Sequence, residues 1–380
     1  RRRPDPEGRG AMSRPAEEPF LTRPLSVVLD FVRFGAALLV VVGHAVQLGL
    51  YHGDFPFGVR MQHYCVIVFF VLSGLVISTS VLGGRSSLGR YAVARISRIL
   101  PVAIPALIFS TLAAYLLAGP SPVRMDNSPE DALAITKQLL APLTFISAWP
   151  GVAGPVWNPP YWSLCYEVWY YAIFALAAFL RGWRRAVAVT LSCFAAGGAI
   201  LLLMPAWLFG VALTHAPAAR RLPLALAPLV LVAAGWAALA LFEIDREVLN
   251  PMLKAWWPGD AEWSEWALSD LAMGLIMTVA LVGSRPLAEA MAGPVLRLGA
   301  AAKSLAGFSF TLYLFHWPLI QLLRSWGIEA GRSFTAFTAL IGAIVLACAA
   351  ISILTERQAP RLRRWMDERS SAGAGRVARA

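Results

Sequence analysis

The sequence predicts an all-α polytopic membrane protein with about ten transmembrane helices and both termini in the cytoplasm. Of its 380 residues, 58% are hydrophobic and only 14% are charged, and the charges lie between long apolar runs. Soluble domains carry roughly 25% charged residues because their surface faces water. The fourteen tryptophans agree with this class, since indole rings favour the bilayer interface.

Helices need about 20 apolar residues to cross the hydrocarbon core of a bilayer. Ten stretches are candidates, although the sixth is short, and its loss would invert the orientation of every later span. The predicted spans are 25–50, 62–82, 99–118, 161–180, 186–203, 205–213, 224–242, 263–282, 304–323 and 334–354.

The charges of the connecting loops predict the orientation of these spans. With the N-terminus inside, every predicted cytoplasmic loop is basic, as the positive-inside rule requires. These loops are 83–98, 181–185, 217–223 and 284–303. The opposite loops at 119–160, 243–262 and 326–333 are poorer in Lys and Arg and richer in acid. The net charge of +11 is therefore attributed to topology and not to nucleic-acid binding.

Three regions are expected along the chain. A disordered basic and polar tail (1–24) precedes the transmembrane domain (25–355), and a basic cytoplasmic tail (356–380) follows it. The first residues do not resemble a signal peptide, and Met12 is a candidate start. No extramembrane stretch is long enough for a second domain, and the four cysteines lack metal-ligand spacing, so no metal is expected.

Ionisable side chains inside a span are costly and therefore candidates for function. In the first span, Asp30 and Arg33 lie at the cytoplasmic end, and His44 follows Arg33 by eleven residues. Eleven steps of 100° return to within about 20° of the start, so Arg33 and His44 share a helix face roughly 16 Å apart. A snorkelling anchor at Arg33 and a buried neutral imidazole at His44 are the structural alternatives.

The fourth span places a carboxylate, Glu167, about two turns from its outer edge, at a depth similar to that of His44. A carboxylate beside a histidine orients the ring and raises its basicity. We therefore predict that His44 and Glu167 form a catalytic pair. The alternative is a structural hydrogen bond from a Trp or Tyr to Glu167.

The ninth span contributes a second intramembrane histidine. Tyr313 and His316 lie one helical turn apart and share a face, and Pro318 frees a backbone carbonyl just beyond them. His44, Glu167 and His316 are therefore expected at comparable depth in three different spans.

The basic loop before the third span offers three arginines to a ligand. Arg95 and Arg98 are three residues apart and share a helix face, and Arg90 lies nearby. Anionic lipid or topology explains such residues, and the phosphates of a cytosolic nucleotide-like donor are the functional alternative.

These segments together resemble acyltransferase family 3, integral-membrane enzymes that acylate sugars and other hydroxyl acceptors. The resemblance covers about residues 25–355 and rests on five motifs in order. They are Arg33 and His44 with ten residues between them, FFVLSG at 69–74, RISRILP at 95–101, WSLCYE at 162–167 and SFTLYLFHWPL at 309–319.

The resemblance implies a stand-alone O-acyltransferase of the bacterial inner membrane, without an extracytoplasmic hydrolase-like domain. Its co-substrate would be cytosolic acyl-CoA, with acetyl-CoA the expected form and no permanently bound cofactor, and its acceptor a glycan, glycolipid or glycosylated metabolite. His44 would be catalytic, acting on the acceptor hydroxyl directly or through an acyl-histidine intermediate, and Arg33, Arg95 and Arg98 would hold the CoA. The expected supporting residues are Asp30, Ser73, Trp162, Ser163, Tyr313 and His316.

Two other classes of function remain compatible with the sequence. A transporter or flippase for an acylated or glycosylated lipid would also have ten spans and intramembrane charges, although no internal repeat is visible. A non-catalytic partner in envelope assembly would keep the fold and lose the chemistry.

Overall fold

A computed structural model describes residues 19–56, 58, 60–82, 86–117, 139–149, 151–152, 154–155, 157–256 and 262–377. Within these ranges the chain forms helices and no β-strand. Eight helical segments in the described part are long and apolar enough to cross a membrane, which confirms the all-α polytopic class.

The main helices are numbered here in chain order. They are α1 (Arg23–Gln47), α2 (Arg60–Leu82), α3 (Leu88–Leu117), α4 (Trp162–Phe179), α5 (Gly182–Ala196), α6 (Gly198–His215), α7 (Ala227–Ile244), α8 (Asn250–Trp256), α9 (Ala267–Ala290), α10 (Ala292–Arg297), α11 (Gly299–Ala306), α12 (Ser309–Ser325), α13 (Phe334–Leu354) and α14 (Ala359–Val377).

Contacts between distant residues show which helix ends share a face of the bundle. Arg285, near the end of α9, donates to the Phe20 carbonyl before α1 at 3.1 Å and to the Arg220 carbonyl after α6 at 2.7 Å. We call this end the basic face. At the other end, which we call the opposite face, the Ala330 amide donates to the Leu50 carbonyl at 2.8 Å.

The predicted spans differ from the helices most at the fifth and sixth positions. The chain breaks at Gly197, whose φ of 84° suits glycine, and not at Pro205, which lies inside α6. As a result α6 is a full helix of 18 residues, whereas α5 has 15. The predicted ninth span corresponds to α12, with 17 residues.

Several predicted loops and tails are helical. The predicted basic loop 83–98 is largely the start of α3, so its arginines project from a helix. Much of the predicted loop 284–303 belongs to α9, α10 and α11. The predicted N-terminal tail lies largely outside the described residues, but Phe20 is buried and Thr22 caps α1. The predicted C-terminal tail contains α14.

Glycines allow α2 and α6 to pack with their backbones in contact. A Cβ on Gly210 would lie 1.9 Å from the Val71 carbonyl oxygen, and one on Gly74 would lie 2.0 Å from that of Trp207. Neither backbone can move aside cheaply, because both are held in helices. The close approach of the two backbones explains why Gly74, the last residue of the FFVLSG motif, is needed where α2 and α6 cross.

We expect Gly210→Ala to destabilise the protein by about 1–3 kcal/mol, the usual cost of overpacking a close-packed interior. The measurement is the thermal midpoint of the purified protein in detergent. Gly235→Ala in α7 is the matched control, because nothing lies within 4 Å of the added Cβ. Equal midpoints for the two variants would contradict the packing argument.

Candidate functional site

Two cavities lie inside the helical bundle and meet at Tyr313. The first is lined by Arg33, Ser73, Arg95, Arg98, Ser163, Glu167 and Tyr171, among others. The second is lined by His44, Gln47, Gln62, His63 and Trp162 with further tryptophans. Val66 and Tyr313 line both, so the two cavities lie on either side of them.

Helix α1 contributes one predicted residue to each cavity, as the eleven-residue spacing predicts. Arg33 lines the first cavity and His44 the second. Because α1 starts at the basic face, the first cavity lies nearer that face and the second nearer the opposite face.

Three guanidinium groups give the first cavity its positive charge. Arg33 is 3.7 Å from the carboxylate of Asp30, one turn earlier in α1. The Arg95 guanidinium lies over the rings of Tyr91 and Tyr171, at 5.8 and 5.7 Å, and its Nε has no hydrogen-bond partner among the described residues. Arg98 lines the cavity with them, and Glu167 contributes a carboxylate to the same lining. Three guanidinium groups at one cavity could bind a phosphate-bearing ligand.

Glu167 belongs to the first cavity, and its predicted pairing with His44 is wrong. Its carboxylate accepts a hydrogen bond from the Tyr171 hydroxyl at 2.5 Å, and that hydroxyl is also 3.0 Å from Ser73 Oγ. The residues at the level of His44 are those at the start of α4 and just before it, because Pro159, Pro160 and Trp162 line the second cavity together with His44. Five residues of helix after Trp162 carry Glu167 about 7.5 Å further towards the basic face.

His44 is paired with the second predicted histidine, His316. His44 Nδ1 is 2.8 Å from His316 Nε2, and the two rings are parallel with centroids 5.1 Å apart. His316 Nδ1 is 3.1 Å from the Leu312 carbonyl oxygen, which only accepts, so Nδ1 carries a proton. In the neutral ring His316 Nε2 is then an acceptor, and His44 must donate to it from Nδ1.

This chain of hydrogen bonds sets the chemistry of His44. Its Nδ1 carries the proton, so its Nε2 keeps a lone pair, and Nε2 has no hydrogen-bond partner in the described part of the chain. His316 is fully buried, and the Trp317 ring packs edge-on against His44 at 4.8 Å. A fixed tautomer with a lone pair facing a cavity is what a general base requires.

Pro318 shapes the helix that carries His316, as predicted. A proline has no N–H for the carbonyl four residues earlier, which here is that of Leu314. The Asn158 side chain donates to this carbonyl at 3.0 Å and is itself fully buried. Asn158 therefore ties the segment before α4 to α12 at the level of the histidine pair.

The other predicted supporting residues line the same two cavities. Ser163 Oγ is 2.8 Å from the Tyr313 hydroxyl, which donates to the Pro160 carbonyl at 2.9 Å. Ser73 accepts from Trp207 Nε1 at 3.3 Å. Tyr313 is thereby held between the first cavity, which Ser163 also lines, and the second.

A second histidine of the second cavity was missed in the sequence. His63 Nε2 is 3.0 Å from Asp270 Oδ2, and both side chains are buried. Trp162 stacks on the His63 ring at 5.3 Å, and Trp266 packs edge-on at 4.8 Å. The available signal was that both residues are ionisable and lie inside predicted spans.

A family model described as an acyltransferase domain matches residues 27–355, the segment that contains both cavities. Neither the curated proteins nor the solved structures contain a match to the chain. Among the described residues, no group of three or more His, Cys, Asp or Glu side chains is arranged to hold a metal ion.

Proposed function

The chain belongs to acyltransferase family 3, and on that premise we propose that it transfers an acyl group, with acetyl expected, from cytosolic acyl-CoA to a hydroxyl of a glycan, glycolipid or glycosylated metabolite. The observation that carries the proposal is the His44–His316 pair, which leaves a lone pair on Nε2 of His44, a residue that lines the second cavity. We further propose that the protein lies in a bacterial inner membrane with its basic face in the cytoplasm.

The first cavity is the proposed site of the CoA moiety. Arg33, Arg95 and Arg98 would bind its phosphates, because guanidinium groups form charge-assisted, often bidentate hydrogen bonds with phosphate. The pantetheine arm would pass Tyr313 and follow α1 towards His44, roughly 16 Å beyond Arg33. The thioester would then lie at the junction of the cavities, and the acceptor would enter the second cavity.

The proposed chemistry uses His44 as a general base. Its Nε2 takes the proton of the acceptor hydroxyl as the oxygen attacks the thioester carbonyl. The C–S bond then breaks, and the CoA sulfur leaves with the proton that His44 had taken up. His316 keeps accepting from His44 Nδ1, so it stabilises the imidazolium without moving a proton. An acyl-histidine at Nε2 is the alternative route, and trapping a labelled acyl-enzyme at His44 would establish it.

We expect His316→Phe to lower kcat by about 10²-fold, the low end of what general-base catalysis contributes, because His44 loses the acceptor that fixes its tautomer. His316→Gln should retain more activity than His316→Phe, since its amide oxygen can still accept a hydrogen bond. The measurement is kcat and donor KM for both variants. Equal losses in the two variants would contradict the proposed role.

The direct test is acyl transfer by the purified protein in nanodiscs. Radiolabelled acetyl-CoA and succinyl-CoA are supplied separately with an envelope extract as acceptor, and CoA release and labelled product are measured. Label transfer supports the proposal and identifies the donor. If CoA neither binds nor turns over, the acyltransferase mechanism is wrong for this chain, and uptake of labelled glycolipid into proteoliposomes would support the transporter alternative.

A further inference from the structure

The second cavity presents two imidazoles, and the proposed mechanism uses only one of them. His63 projects from α2 into the cavity that His44 lines from α1. Two tryptophan rings clamp His63, one stacked on it and one edge-on, so the imidazole cannot turn freely. A rigid imidazole at a ligand cavity has a defined direction for hydrogen bonding.

Asp270 sets that direction. A carboxylate accepts hydrogen bonds, so His63 Nε2, 3.0 Å from Asp270 Oδ2, carries a proton. His63 Nδ1 is then the nitrogen left for a ligand, and it has no hydrogen-bond partner among the described residues. A buried carboxylate in a membrane protein is costly, and this cost is offset by the bond to His63.

Other polar atoms of the same cavity also lack partners. Gln62 donates to Gln47 Oε1 at 2.9 Å, but its own Oε1 is buried and accepts nothing within the described residues. The indole Nε1 of Trp317, beside His44, is likewise buried and unpartnered there. Unpaired buried polar atoms cost about 1–3 kcal/mol each, so the residues around this cavity include polar groups that the packing of the described part of the chain leaves unsatisfied.

We propose that His63, oriented by Asp270, binds a second hydroxyl of the acceptor through Nδ1. The enzyme would then require at least two hydroxyls on one acceptor, one deprotonated by His44 and one accepted by His63, and this two-point contact would select the hydroxyl that is acylated. His63 is an acceptor-binding residue in this scheme, and Asp270 is a positioning residue. The inference rests on the proposed function.

The test measures sugar binding without any acyl donor. The methyl glycosides of glucose, galactose and mannose are titrated into the protein in nanodiscs and followed by tryptophan fluorescence, since Trp162, Trp263, Trp266 and Trp317 line the cavity. We expect His63→Phe, which keeps a ring and removes the acceptor nitrogen, to weaken glycoside binding by about tenfold, the worth of one hydrogen bond at a buried site. CoA binding should be unchanged, and His52→Phe, at an exposed histidine, is the matched control.

Monodeoxy glycosides identify the hydroxyl concerned. One deoxy sugar should bind wild type about tenfold more weakly than its parent. It should bind His63→Phe no more weakly than the parent does, because the two changes remove the same contact. Asp270→Asn, whose amide oxygen still accepts from Nε2, should weaken binding less than Asp270→Leu.

Several results would overturn the inference. They are a wild type that binds none of the glycosides, a His63→Phe variant that binds as wild type does, fully additive losses for every deoxy sugar, and a His63→Phe variant that has also lost CoA binding. Binding that depends on His63, in a protein that fails to release CoA from acyl-CoA, would refute the acyltransferase proposal and leave the sugar contact established.

Discussion

His44→Ala should lower kcat for acyl transfer by at least about 10³-fold, within the range that a positioned general base contributes. The variant loses the imidazole that the proposed mechanism uses as its base, whose Nδ1 is held by the hydrogen bond to His316. Binding of CoA should stay within about twofold, because the first cavity is lined by other residues. The measurement combines single-turnover transfer from labelled acyl-CoA with equilibrium binding of CoA.

Two controls separate catalysis from folding. His52→Ala removes an exposed histidine that contacts Glu329 at 3.5 Å, and it should leave the rate unchanged. The thermal midpoint of His44→Ala should fall somewhat, because the buried Nε2 of His316 loses its donor, and a cooperative unfolding transition shows that the variant is folded. Retained transfer in a folded His44→Ala protein would remove this residue from the mechanism.

Arg95→Gln should weaken CoA binding by roughly 10–100-fold, because a hydrogen bond to a charged group contributes about 1.5–3 kcal/mol. Its guanidinium is held over two tyrosine rings at the first cavity, with Nε unpartnered among the described residues. The donor KM should rise and kcat should change little, which is the pattern for a group that binds the ground state and the transition state equally. Isothermal titration with CoA measures the loss directly.

Arg95→Lys and Arg363→Gln are the matched variants for this prediction. The lysine keeps the positive charge but lacks the planar guanidinium group, so the CoA affinity of Arg95→Lys should lie between those of wild type and Arg95→Gln. Arg363 lies on α14 with its side chain 55% exposed, and its replacement should have no effect. A similar loss from both Arg95→Gln and Arg363→Gln would show that general surface charge, and not the first cavity, binds the donor.

Length and apolarity predicted most of the helices, because a membrane span must satisfy its backbone within one segment. The errors concern where a helix begins or ends, which a single residue can determine. Proline suggested a break at Pro205, but neighbouring helices tolerate proline in a span, and the break occurs at Gly197 with its positive φ. The basic residues before the third span were assigned to a loop by charge, although helix α3 starts at Leu88.

For the candidate site, the sequence could relate residues within one helix but not residues on different helices. The sequence alone determined that Arg33 and His44 share a face of α1 and that Tyr313 and His316 share one of α12, because the pitch of a single helix relates residues along it. It also marked the intramembrane ionisable residues as candidates. No such rule relates one helix to another.

Only the tertiary structure decided which residues meet across helices. It joined His44 to His316, placed Glu167 with the arginines, and brought His63 to Asp270 across 207 positions of sequence. The physical reason is that the vertical offset and rotation of each helix follow from packing, such as the backbone contact at Gly74 and Gly210. An offset of five residues, about 7.5 Å, is enough to move a carboxylate from one cavity to the next.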